Sequence, residues 1–150
     1  MRLFEFFRNK KDKIPETSAF VFLYRGSPVE VDVEVTDAES RRQLAEDAAV
    51  LTAEGLEAVV RSRFLPWFKG ESFSDRDDDR ILAGLGMTGG RYTYGRIIEK
   101  YAPNGQEGYF GQFEFDFVST DAYTADMLEA TAMEVFVQDG RIVNVSGYEI

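Results

Sequence analysis

Two carboxylates in one strand-like stretch have a spacing that could support chemistry. Glu114 and Asp116 lie two positions apart in the run 112–117, where polar residues alternate with phenylalanines. Side chains two positions apart on a strand point to the same face, roughly 6.5–7 Å apart. Two carboxyl groups at such a separation can act as acid and base, which is compatible with a small carboxylate-dependent hydrolase or a sugar-binding protein. The wet face of any half-buried sheet shows the same alternation.

Tyrosines close to these carboxylates favour binding over catalysis. An exposed tyrosine next to a carboxylate forms a surface that suits the binding of a basic, partly apolar protein. We therefore predict a partner-binding face composed of Glu114, Asp116, Tyr109 and Tyr94. The other interpretation is that the tyrosines rim the core and keep their hydroxyls in water.

The residue types that are absent exclude several chemistries. The chain has no Cys and no His, so disulfides, thiolate nucleophiles, Cys-based metal sites and an ordinary Ser-His-Asp triad are impossible. No complete catalytic motif is present among the remaining residues. We therefore expect no catalytic residues and no cofactor, and we favour a non-enzymatic binding module.

The charge distribution indicates the kind of partner. The formal net charge is −10, and residues 101–150 carry Arg141 as their single basic side chain. Binding to phosphate backbones requires clustered Lys and Arg, so nucleic acid is not expected as a partner. A basic protein partner fits the charge, although an acidic surface also serves solubility alone.

Two motif-like patterns are interpreted as structural. Residues 84–89 match G-x-G-x-x-G, but a helix precedes them and a strand follows, which inverts the dinucleotide-binding order. We predict a helix-to-strand connector there. Asp75, Asp77 and Asp79 have the first spacings of a calcium loop, but Arg80 replaces its glycine and Gly86 its glutamate. We predict a solvated capping loop and no metal ligands.

The N-terminal residues differ from the rest of the chain. Residues 1–16 combine a short apolar patch with five basic side chains, and they predict a short helix and a linker. They either dock on the domain, fray or touch a membrane surface. No apolar run reaches the roughly 20 residues of a transmembrane helix, so we expect a cytoplasmic protein.

Residues 17–150 predict a single α+β domain. Its sheet is antiparallel, with about six strands that form a hairpin and a C-terminal meander, and it packs against helices on one face. A helix should start at the capping box 36–39 and end at Pro66, and Gly95 should mark a bulge in the strand 92–101. The segments expected to form strands are 19–24, 29–35, 92–101, 109–118, 129–137 and 142–146.

Three segments in the second half of the chain are similar to segments of known proteins. They are 92–95 (Tyr-Thr-Tyr-Gly), 108–115 (Gly-Tyr-Phe-Gly-Gln-Phe-Glu-Phe) and 137–143 (Val-Gln-Asp-Gly-Arg-Ile-Val). They resemble small bacterial proteins of unknown function, some of which look like immunity proteins of contact-dependent toxins. The resemblance covers roughly residues 75–150, within one domain of ordinary size. It implies a bacterial protein and carries over no active residues.

Overall fold

The structure is a computed structural model that describes residues 20–33, 37–127 and 131–149. The short helix and linker predicted for residues 1–16 lie outside the described residues. The same is true of Thr36, of the end of the second predicted strand at 34–35, and of the start of the strand predicted at 129.

The first two strands form the predicted hairpin. Strand β1 (Phe20–Tyr24) pairs antiparallel with β2 (Ser27–Val33). The two residues between them, Arg25 and Gly26, have φ values of 51° and 83°, and Gly26 adopts such a conformation at no steric cost. Alternation buries the valines of β2 and exposes Glu30 and Asp32, as expected for a strand with one wet face.

A broken helical segment follows the hairpin. It consists of α1 (Ala38–Glu54), α2 (Leu56–Val59), a π-helical turn (Val60–Phe64) and α3 (Leu65–Lys69). Gly55, with φ 90°, separates α1 from α2.

Of the two predictions about the ends of this segment, one was right and one was wrong. The helix begins within residues 36–39 as predicted, and Asp37 caps α1, because its carboxylate accepts hydrogen bonds from the backbone N–H and the hydroxyl of Ser40. Pro66 does not end the helical segment. It occupies the first turn of α3, where its missing N–H removes no helical bond. The wider π-helical turn, closed by the Leu65 N–H on the Val60 carbonyl, precedes it.

The second half of the chain supplies a further short helix and the rest of the sheet. Asp77 caps α4 (Asp78–Gly84) by accepting from the Arg80 N–H, as the capping interpretation of this acidic loop predicted. The other elements are β3 (Leu85–Ile97), a 3₁₀ turn (Glu99–Tyr101), β4 (Gly108–Ser119), α5 (Ala122–Ala125), β5 (Thr131–Gln138) and β6 (Arg141–Glu149).

The glycine-rich residues 84–89 differ from the prediction. They do not form a connector, because β3 already begins at Leu85 and pairs with β4 from there. The irregularity in this pairing lies between Met87 and Gly89, whereas the pairing at Gly95 is regular, so the predicted bulge at Gly95 was wrong. Gly90 allows close strand contact, since a Cβ there would lie 2.8 Å from the Glu114 carbonyl oxygen.

One sheet of six strands, in the order β1-β2-β3-β4-β5-β6, organises the molecule. The α+β class and the mainly antiparallel sheet are therefore confirmed. The pairing of β2 with β3 is parallel, in contrast to the antiparallel prediction. The long helical connection explains the difference, because a parallel pair requires a crossover of a dozen or more residues.

The helices α1 to α3 pack on one face of this sheet. A Cβ on Gly111 of β4 would meet Asp47 of α1, and one on Gly147 of β6 would meet Trp67 of α3. Phe113, Phe115 and Phe117 therefore point into the core between sheet and helices, and all three are buried.

Candidate functional site

The sheet face opposite α1 to α3 is the candidate site, and we call it the open face. Among the described residues, the charged side chains on its strands β2 to β5 are Glu30 and Asp32 of β2, Arg91 of β3, Glu114 and Asp116 of β4, and Glu134 of β5. Strand alternation places these side chains away from the helices, because their neighbours in sequence are buried in the core. Four of them form one row, since Asp32, Arg91, Glu114 and Glu134 are successive Cα partners across four strands.

Arg91 joins both carboxylates of the predicted face. Its Nε donates to Glu114 at 2.8 Å, and its two terminal nitrogens donate to the two oxygens of Asp116 at 3.1 Å each. The hydrogen bonds that Arg91 donates to Asp116, and then the one to Glu114, raise the pKa of Arg91 above its ordinary value. Because Arg91 already engages both oxygens of Asp116 and one oxygen of Glu114, the geometry does not favour these two carboxylates as an acid–base pair.

Glu134, the carboxylate of β5 in this row, lies where its charged form is disfavoured. It is the direct partner of Glu114 in the sheet, and it accepts a hydrogen bond of 2.7 Å from the Gln112 amide. Burial and then the negative charge of Glu114 raise the pKa of Glu134, and the Gln112 bond opposes this shift. A positive group brought to this row would stabilise the ionised form of Glu134.

The structure divides the four predicted site residues between two faces. Glu114 and Asp116 lie on the open face. Tyr94 is the Cα partner of Gly111, which faces the helices, and Tyr109 has the same orientation by alternation. The two tyrosine rings stack with centroids 5.8 Å apart, beside the N-terminal part of α1. The predicted single face of these four residues is therefore incorrect.

The sequence did not single out Arg91 or Asp47, although both hold carboxylate contacts between distant parts of the chain. Arg91 stands 23 positions before Glu114, so only the strand register reveals their contact. Asp47 is fully buried, and its carboxylate accepts from the Tyr92 hydroxyl at 2.8 Å and from the Gln43 amide at 3.0 Å. A signal for Asp47 existed, since it falls among the apolar residues that recur at helical spacing on α1.

Exposed apolar side chains extend the open face at the β1 edge. Val21 and Leu23 are 57% and 70% exposed, and β1 is an outer strand of the sheet. On β4, Val118 is also exposed. The open face therefore offers apolar contacts beside its carboxylates, as protein–protein interfaces commonly do.

The described residues contain no cluster of three or more carboxylates arranged to hold a metal ion. Within the same residues, no helix is long and apolar enough to cross a membrane. Comparisons of the chain with family models, with curated proteins and with solved structures found no match.

Proposed function

We propose that this protein is a non-enzymatic binding module whose open face engages a basic protein partner. The observation that carries the proposal is the charge imbalance of that face, where the described residues place five carboxylates and one guanidinium. Arg91 compensates Glu114 and Asp116 only in part, and Glu30 and Asp32 are exposed. The resemblance inferred from residues 75–150 implies a bacterial, immunity-like protein, and this role stays a prediction.

Charge complementarity would act mainly on the rate of association. A face with excess negative charge attracts a basic surface over a distance of about one Debye length, roughly 10 Å at 0.1 M salt. Apolar contacts at Val21, Leu23 and Val118 would then slow dissociation, since affinity differences between related complexes appear mostly in the dissociation rate. Binding should therefore weaken as salt is added.

A pull-down from native lysate with matched variants tests the proposal. The E30Q/D32N double variant removes two negative charges from the open face without touching the Arg91 bonds. The E71Q/D75N variant removes the same charge from the exposed loop between α3 and α4. We expect a basic protein captured at about 0.05 M salt by wild type and E71Q/D75N, but lost at about 0.5 M salt and with E30Q/D32N. Equal capture by both variants would contradict the proposal.

A carboxylate-dependent hydrolase is the second candidate, and Glu134 is the observation that favours it. The raised pKa of Glu134, beside the Glu114 carboxylate, resembles the separation of acid and base that glycoside hydrolysis requires. A broad substrate screen should compare wild type with E134Q and E114Q. Activity that disappears in both variants would support this function, and equal null activities would end it.

A further inference from the structure

The stacked tyrosines Tyr94 and Tyr109 form a second feature, on the helix side of the sheet. Their rings are nearly parallel, with an interplanar angle of 16°. Tyr109 is 56% exposed. Gly111, the direct partner of Tyr94, has no side chain to separate the two rings. An exposed aromatic stack of this kind presents a broad, electron-rich surface to solvent.

Two clefts flank the stack. One has a volume of about 320 Å³ and lies between the rings and the first turn of α1, where Asp37, Glu39 and Ser40 line it. The other, of about 330 Å³, lies on the opposite side. Its polar lining consists of Gln43, Glu46, Gln138 and Asp139. Each cleft thus combines the tyrosine rings with two carboxylates.

The charge next to the rings is negative. Burial raises the pKa of Tyr94, and the charges of Glu39 and Asp47 raise it further, while Arg42 opposes them. Arg42 bonds to Glu46 at 3.0 Å and to Glu39 at 3.4 Å on the exposed surface of α1. One guanidinium therefore serves two of the four cleft carboxylates. Arg96, the Cα partner of Tyr109, is paired with Glu107, so among the described residues the surroundings of the rings keep excess negative charge.

Other tyrosines of the molecule already pair with cations. The Arg80 guanidinium lies 3.9 Å from the ring centroid of Tyr123, and Lys100 lies 5.4 Å from that of Tyr101. Among the described residues, no Arg or Lys is placed over Tyr94 or Tyr109 in this way. The faces of these two rings are therefore not covered by a cation from the described residues.

We propose that the Tyr94–Tyr109 stack and its two clefts form a binding site for a guanidinium group. The planar cation packs on the exposed ring face of Tyr109 and donates hydrogen bonds to cleft carboxylates, a geometry that suits guanidinium better than ammonium. The assignment rests on the two stacked rings, and the carboxylates supply the negative charge that attracts the cation. The site is on the opposite side of the sheet from the open face, so it does not rest on the function proposed above.

Binding of defined probes tests this site. The probes are Nα-acetyl-L-argininamide, for a free ligand, and acetyl-Gly-Arg-Gly-amide, for an arginine in a peptide. The neutral controls are the citrulline versions of both, which keep the shape but lack the charge. We expect saturable NMR shifts of the Tyr94 and Tyr109 ring signals with one or both arginine probes and none with citrulline. The probe that binds more tightly identifies the source of the group.

Variants separate this site from the open face. Because Tyr109 is largely exposed, Y109A should fold, which circular dichroism would verify, and should weaken binding about three- to fivefold. Y101A, at an exposed tyrosine elsewhere, and the E30Q/D32N variant should bind like wild type. Equal shifts with arginine and citrulline probes, no saturable shifts, or unchanged binding by Y109A would each overturn the proposal.

Discussion

The carboxyl group of Asp47 is fully buried, which disfavours its charged form. Burial raises its pKa above the ordinary value, and the hydrogen bonds from Tyr92 and Gln43 oppose that shift only in part. For an acid whose pKa is higher in the folded state, stability is greatest below the unfolded pKa of 3.8 and decreases as pH rises through the folded pKa. At neutral pH the Asp47 carboxyl group thus lowers the free energy of unfolding relative to its value below pH 3.8.

The D47N variant should remove this pH-dependent cost. The asparagine oxygen can accept from the Tyr92 hydroxyl, and its amide can donate to Gln43 after a flip of the Gln43 amide. We expect D47N to be at least as stable as wild type at pH 7, with an advantage that shrinks as pH falls towards about 4. Urea unfolding across this pH range measures the difference. A constant difference over the range would contradict the prediction.

Asp37 provides a control of opposite sign. Its exposed carboxylate accepts from Ser40 at the start of α1, and these bonds lower its pKa. Its contribution to stability is present above the unfolded pKa and is lost as pH falls through the lowered, folded value. The D37N variant should therefore lose stability at pH 7 and approach wild type in acid, the reverse of D47N.

At the level of elements, the sequence predicts best where local pattern and tertiary environment agree. The alternation of β2 and β4 reports a one-sided sheet, so the strands and their core faces could be predicted. The same pattern placed Glu114 and Asp116 on a common wet face. Local signals also located the Asp77 cap and the turn between β5 and β6, where Asp139 and Gly140 both have positive φ.

The features that sequence did not predict depend on partners far along the chain. The start of β3 at Leu85 consists of glycine-rich residues with low strand propensity, and pairing with β4 determines it. The separation of Tyr94 from the carboxylates requires the register, since a shift of one residue reverses every side chain. The contact of Arg91 with Glu114 and Asp116 has the same origin.

Two glycines in strands should respond oppositely to alanine. A Cβ on Gly147 of β6 would lie 2.5 Å from Trp67 and 2.8 Å from Phe64, where α3 and the π-helical turn pack on the sheet. A Cβ on Gly95 of β3 would meet nothing within 4 Å. We expect G147A to lower the free energy of unfolding by about 1–3 kcal/mol through overpacking. We expect G95A to raise it by about 0.5–1 kcal/mol.

Chemical denaturation of both variants measures these effects. The pair is matched, because each substitution adds one methyl group to a strand in which the glycine φ is not positive. G147A should also change the fluorescence of Trp67, the single tryptophan, because its ring must move. A G147A variant as stable as wild type would mean that the helices approach β6 less closely than the structure shows.

For the whole molecule, the positions of the charged side chains in the fold say more about its electrostatics than the net charge does. The last third of the sequence has Arg141 as its single basic residue. In the fold, arginines from earlier in the chain pair with its carboxylates: Arg91 with Glu114 and Asp116, Arg76 with Asp126, and Arg96 with Glu107. The tertiary structure thus disperses an acidity that is concentrated in sequence.

A net charge of −10 nevertheless leaves the folded state under self-repulsion. The exposed ion pairs offset little of it, because such pairs contribute about 0–1 kcal/mol each. Salt screens both effects, and repulsion is the larger one, so we expect NaCl from about 0.01 M to 0.15 M to raise the free energy of unfolding.

Loss of Arg91 in R91Q should cost about 1–3 kcal/mol and increase this salt dependence, because half-buried Glu114 and Asp116 lose their partner. R42Q makes the same charge change on the exposed surface of α1 and should cost about 0–1 kcal/mol. Urea unfolding at several salt concentrations measures all three proteins. Stability that falls with salt, or equal effects of R91Q and R42Q, would show that repulsion across the open face is not the dominant electrostatic term.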